Sequence, residues 1–228
     1  MKPEEIGQPH DRLVKHVFSR KETAARFLQA YVPQKLTLFF DWSRLESCPG
    51  SFVDPKLRHQ ESDLLFRIPF YRPQARAGGQ FIRGDETFLY CLFEHQTKID
   101  RWMIVCLLAY MVQIWQGLIR SNPKLKRLPP ILPLVLYQGP TPWNIALRFE
   151  EHLALPKDLV FELGRYQPVF EHLLVDLSQT RAEEIKGDLI GRLALGLMKA
   201  VAERKVIAWL EREGRLLGQL LREQKATV

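Results

Sequence analysis

The stretch FLYCLFEHQTK, residues 88–98, decides how this chain is to be read. An apolar run from Phe88 ends on Glu94, His95 and Gln96, and an earlier run, ESDLLFRIPF at 61–70, carries Asp63 near its start. Both have the length and composition of buried strands, where a carboxylate is costly unless something compensates it. Between them RPQARAGGQFIRGDE, residues 72–86, is rich in Gly, Arg and Pro and reads as a long, exposed, basic hairpin loop. If the two strands pair as neighbours, Asp63 lies across from Glu94 on one sheet face. Side-chain alternation then puts Gln96 on the Glu94 face and His95 on the other. Two carboxylates so close repel, and one is protonated unless a cation sits between them. Hard oxygen donors at that density suit Mg²⁺ or Mn²⁺. The competing reading is a solvated or salt-bridged pair without metal, and spacing alone leaves both open.

Working outward, Met103, Ile104, Leu107, Leu108, Met111 and Ile114 recur at three and four residues, which predicts a long helix ending near SNPK at 121–124. PILPLVLY (130–137) is a further buried strand, WNIALRFEEHL (143–153) a short helix and FEHLLVDLS (170–178) another strand. Upstream, Leu13, Val17, Ala24, Phe27, Leu28 and Tyr31 are at helical spacing, so one helix, or two with a kink, runs from Asp11 to Tyr31 and stops at Pro33. SRKE (19–22) has the form of a capping box, and GSFVDPKL (50–57) that of a short strand. From Arg181 the pattern is helical, with Leu189, Leu193, Leu197, Val201 and Ile207 marking an amphipathic face that packs on the domain or on a second copy of the chain. The expectation is an α/β domain over 1–178 and a helical C-terminal extension over 179–228.

With 228 residues, 46% of them hydrophobic, the chain is long enough for a full core, which excludes a disordered or fibrous class. Its 33 Lys and Arg against 26 Asp and Glu give +7, the sign that favours a polyanionic partner. Cys48, Cys91 and Cys106 lack CxxC spacing and read as reduced thiols rather than disulfides or a zinc site. The first residues, MKPEEIGQPHD, are too polar for a signal peptide, and WMIVCLLAYMVQIW (102–115) is shorter than a bilayer span. The cytoplasm is the expected compartment.

The runs HDRLVKHVFS, LRHQESDLLFRI, FLYCLFEHQTKIDRWMIVCLLAYMVQIW and LPLVLYQGPTPW, in that order, resemble the Rpn family of recombination-promoting nucleases, also labelled YhgA-like transposases. The resemblance covers roughly His10 to Ser178. It implies a PD-(D/E)XK (restriction-endonuclease-like) core running helix, three strands, helix, strand, which is the order read above from the residues. By the same resemblance Asp63 and Glu94 are the metal ligands, joined by the backbone carbonyl of His95, and Gln96 stands where the wider superfamily has lysine. A neutral amide cannot take a proton as a neutral lysine can, so Gln96 is expected to orient the attacking water. The implied cofactor is Mg²⁺ or Mn²⁺, the partner double-stranded DNA, and the reaction phosphodiester hydrolysis with little sequence preference.

Asp11 and Lys15 share one helix face and either line the same cleft, as the resemblance implies, or form an exposed ion pair; His10 reads as a cap or surface histidine. Lys98, Arg58, Arg72, Arg76 and Arg83 are candidate DNA-backbone contacts or merely solvated cations. Tyr137, Gly139 and Trp143 of LYQGPTPW (136–143) read as a turn with aromatic packing. Besides the nuclease, a DNA-binding protein with a degenerate site and a transposon-associated assembly factor fit the sequence. A transposase with three catalytic acids does not, since no third acidic residue downstream has a convincing strand context.

Overall fold

A computed structural model describes residues 9–48, 64–69, 88–156 and 158–225. Leu64–Pro69 (β2) and Phe88–Gln96 (β3) are strands paired antiparallel, with Leu64 opposite Phe93 and Pro69 opposite Phe88. Outside β2 lies a short strand, β1 (Glu46–Cys48), and on the other side of β3 lie β4 (Ile131–Tyr137) and β5 (Leu173–Asp176). The sheet therefore runs β1-β2-β3-β4-β5, antiparallel through β3 and parallel from β3 to β5. A parallel pair needs a long crossover, and the apolar helix α4 (Met103–Ser121) supplies it between β3 and β4.

Both faces of the sheet are covered, which is why β3 and β4 read as continuous apolar runs. On one face α1 (Pro9–Phe18), α2 (Lys21–Tyr31) and α6 (Leu189–Ala202) bury Val14, Phe18, Phe27, Leu195 and Met198 against Phe66, Ile68, Phe93, Leu134 and Leu136. Phe93 meets Phe18 and Phe27 at 5.4 and 5.2 Å between ring centroids. On the other face Met103, Leu107, Tyr110 and Ile114 of α4 pack on Leu65 and Val135. Short helices α3 (Gln34–Thr37) and α5 (Val160–Gly164) lie in connections. α7 (Val206–Lys225) follows α6, with Trp209 buried against Leu193 and Ala200. The chain is thus mixed α/β, in the order helices, three strands, helix, strand, followed by β5 and two long helices.

Several expectations change. WNIALRFEEHL is helical only over the single 3₁₀ turn Phe149–His152. Its backbone is used across the chain instead: Trp143 N–H donates to Asp176 Oδ2 at 2.9 Å, Phe149 N–H to the Phe170 carbonyl at 2.9 Å, and Arg148 bridges Glu171. SRKE forms no capping box. Ser19 Oγ turns back to the His16 carbonyl at 3.1 Å, and Arg20 is the N-cap of α2 with no side-chain bond. GSFVDPKL and the arginine-rich hairpin loop lie outside the described residues, while β1, unforeseen, precedes them. At 19 residues α4 is long and apolar enough to cross a bilayer by length and composition, although one of its faces is packed on the sheet.

LYQGPTPW is a packed turn, as its structural reading has it. Tyr137 Oη donates to the Thr141 carbonyl at 2.8 Å and its ring stands edge-on to Trp143 at 5.2 Å. A Cβ on Gly139 would fall within the Tyr137 hydroxyl and ring, and Tyr137 is fully buried. Gly139→Ala should therefore cost about 1–3 kcal/mol through overpacking, seen as a fall in Tm of roughly 3–10 °C. Thermal unfolding of the two proteins by circular dichroism checks this, and an unchanged Tm would mean that Tyr137 moves freely.

Candidate functional site

Parallel β3, β4 and β5 end at one edge of the sheet, the position where open α/β sheets place their ligands. The residues converging there come from β3 (Glu94–Gln96), from the turns after β4 and β5, and from the start of α1. β2, being antiparallel to β3, begins at this same edge with Leu64.

His95 faces α1, as alternation requires, and its side chain is 0% exposed. Its Nδ1 lies 2.8 Å from Asp11 Oδ1, so an ionised Asp11 fixes the proton on Nδ1 and leaves Nε2 as an acceptor. Nε2 is buried and has no hydrogen-bond partner. His10, next to this pair, is held below the ordinary histidine pKa first by burial and then by the charge of His95, with Asp11 opposing. Of the two alternatives for Asp11 and Lys15, the exposed ion pair is not formed among the described residues; Asp11 contacts His95 at the strand end instead.

Gln96 is 6% exposed and stands in register with Tyr137. Its carbonyl accepts from Gln138 N–H at 2.9 Å, which carries the ladder one residue past β4. The Gln138 side chain is buried with Oε1 unpartnered, and Ser178 Oγ after β5 is likewise buried and unpartnered. Asp176 accepts from Trp143 N–H at 2.9 Å and Ser178 N–H at 2.8 Å, tying the turns after β4 and β5 together. Lys15 is half-buried on α1 and Lys98 is exposed just beyond β3.

The structure thus gathers Gln96, His95 and Asp11 at one strand end. Glu94 is in register with Val135 on β3, and Asp63, the residue before Leu64, lies outside the described residues together with Arg58, Arg72, Arg76 and Arg83. Among the described residues no group of three His, Cys, Asp or Glu side chains is placed to hold a metal. His95 is not available as a nitrogen ligand through Nδ1, which faces Asp11. Apart from His95 Nε2, the donors left at this strand end are oxygens, the set that Mg²⁺ or Mn²⁺ prefers. The Asp11–His95 contact joins residues 84 apart in sequence and has no local signal beyond the polar identities themselves.

The family model described as "Putative transposase, YhgA-like" matches residues 8–227. The recombination-promoting nuclease RpnD of Escherichia coli O157:H7 is 31% identical over 140 residues, 60% of this chain and 49% of RpnD. RpnC of Escherichia coli strain K12, also named a recombination-promoting nuclease, is 26% identical over 206 residues, 89% of this chain and 62% of RpnC. The inactive recombination-promoting nuclease-like protein RpnE of the same strain is 26% identical over 212 residues, 92% and 64% of the two chains. The chain spans between about half and two thirds of the length of these relatives. No solved structure matches it.

Behind the turn that holds Trp143, His172 is 3% exposed, its ring 6.2 Å from that of Trp143, and neither ring nitrogen has a hydrogen-bond partner. Burial pushes its pKa down from 6.5 to about 4, opposed by the Leu147 backbone and aided by the charge of His152. The folded pKa lies below the unfolded one, so the neutral ring's stability is fully present above pH 6.5 and is lost as pH falls toward 4. The loss is about 3 kcal/mol. His172→Phe, which cannot titrate, should lose that much less than the parent between pH 7 and pH 4. Urea unfolding at both pH values measures the difference, and parallel losses would show that His172 already titrates normally.

Proposed function

Because this chain belongs to the YhgA-like transposase family, we propose that it is a metal-dependent DNA endonuclease of PD-(D/E)XK type with little sequence preference. The observation that carries the reading is the register of the central hairpin. β2 begins at Leu64, opposite Phe93, and in sequence Asp63 directly precedes Leu64 while Glu94 directly follows Phe93. Relatives named as recombination-promoting nucleases support it.

Asp63, Glu94 and the backbone carbonyl of His95 would hold a Mg²⁺ or Mn²⁺ ion, which when bound supplies Lewis-acid polarisation of a phosphate oxygen and a lowered pKa for its water. The chain's own groups do the rest. Gln96, at the nearly dry end of β3, offers an amide that orients water without taking its proton. Asp11 orients the His95 ring, which keeps the last turn of β3 in one position. Lys15 and Lys98 supply positive charge for the DNA backbone, together with the hairpin arginines Arg72, Arg76 and Arg83 and with Arg58 upstream. A DNA-binding protein without cleavage is the second reading, favoured by the resemblance to a relative named as inactive.

Supercoiled plasmid incubated with the protein in Mg²⁺, Mn²⁺, Ca²⁺ or EDTA separates the two. Nicking is expected in Mg²⁺ and Mn²⁺, weakly in Ca²⁺ because its looser coordination positions water less well, and not in EDTA. Asp63→Ala and Glu94→Ala should each lower nicking by at least 100-fold, on the order expected for lost transition-state charge stabilisation, while keeping DNA affinity within a few-fold. Gln96→Lys should retain cleavage with an altered pH profile, and Gln96→Leu should lose most of it. Binding without metal-dependent nicking would establish the second reading, and undiminished nicking by either alanine variant would remove the site.

A further inference from the structure

We propose that Trp102, with Arg101 and His152, forms a platform on which one unpaired nucleobase of the bound strand stacks. The ligand class rests on the nuclease reading; the platform itself rests on three observations. Trp102 is 55% exposed although it is the N-cap residue of α4, where an indole gains nothing by capping. It borders a cavity of about 400 Å³, whose other walls include Arg101, Asn144, Ile145, Glu151 and His152. That is the size range of small-ligand pockets. The Arg101 guanidinium lies over the indole at 5.7 Å from its centroid, and the His152 ring is 6.5 Å away on a different plane.

The Trp102 backbone and the His152 ring are anchored. Trp102 N–H is held by Asp100 Oδ1 at 2.8 Å, and His152 Nε2 is held on the Ala146 carbonyl at 3.0 Å. A cation over one face of a half-exposed indole, on a chain of net charge +7, suits a flat aromatic group carried on an anionic backbone and stacking on the other face. A purely apolar partner would leave Arg101 and Glu151 to be desolvated without compensation. The location agrees with the candidate site. Asn144 and Ile145 directly follow Trp143, which packs on Tyr137, the register partner of Gln96. Trp102 is six residues beyond Gln96, a reach of at most about 20 Å by chain length, or about six nucleotides along one strand of B-DNA.

The test uses the full chain in EDTA, so that binding is read without cleavage. The probes are an eight-nucleotide oligothymidylate and an abasic strand of the same length. Stacking of one base should make the oligothymidylate bind about 5- to 100-fold more tightly than the abasic strand, with quenching of tryptophan emission only by the former. Trp102→Ala should bring the affinity ratio close to one and remove the quenching, and Trp102→Phe should keep most of the ratio. Trp102→Phe keeps the test decisive if the alanine variant fails to fold: it should keep the ratio and lose the quenching, whereas quenching that survives it comes from one of the other four tryptophans and overturns the proposal. Equal affinity for both strands in the parent, or an unchanged ratio in Trp102→Ala, overturns the proposal. Plasmid nicking on the same preparations separates the two ideas: nicking without base preference removes only the platform, and base preference without nicking removes only the nuclease.

Discussion

Strand β3 is hydrogen-bonded along both edges, antiparallel to β2 and parallel to β4, and helices cover both faces of the sheet it centres. Everything else in the fold answers to that double burial. Because side chains alternate, Phe93 and His95 are committed to the face of α1, α2 and α6, and a shift of one residue would exchange that set for its neighbours. The aromatic cluster of Phe18, Phe27 and Phe93 opposes such a shift, since each ring fills space made by the other two. Register along β2 and β4 then follows, and with it the identity of the residues that reach the strand ends.

A polar residue at the end of such a strand must be satisfied there or exposed. His95 is satisfied on one side only, through Asp11, and that one contact ties the first helix to the carboxyl end of the central strand. The tie places helix and strand end in one unit with the α1–α6 packing behind it. Removing the Asp11 carboxylate would leave a buried imidazole with no partner on either nitrogen, a loss on the order of 1–3 kcal/mol. The same contact that positions the strand end therefore also contributes to the fold, and effects of substitution at Asp11 on activity need to be read beside its effect on stability.

Strands β2 to β5 and the α4 crossover could be read from residue patterns, unlike the edge strand β1, because their determinants are local: apolar runs of strand length, a basic Gly- and Pro-rich interruption, and nineteen residues of helical periodicity in Met103–Ser121. The segment after Trp143 could not, because its apolar spacing is helical while its backbone hydrogen bonds go to residues 170 and 176, far along the chain. The capping box failed for a smaller reason, since Ser19 has the preceding helix's carbonyl within reach and uses it. At the candidate site, Glu94, His95 and Gln96 could be assigned to opposite faces by alternation alone. The partner of His95 could not be found this way, and neither could the exposure of Trp102, because both depend on how α1 and the residues after β4 are folded against the strand ends.

Cohesion and polarity are segregated in this molecule. Phe93 of β3, Leu134, Val135 and Leu136 of β4 and Val175 of β5 are apolar and buried, and they hold the sheet from within. At the carboxyl edge the rule reverses: His95 Nε2, Gln138 Oε1 and Ser178 Oγ, on three successive strands or the turns that follow them, are buried and unpartnered. Each such atom costs on the order of 1–3 kcal/mol that an apolar side chain of similar shape would avoid. Three of the six such atoms among the described residues lie along this one edge, where the ligand of the proposed function would sit; the other three belong to His172 and Glu150, away from it.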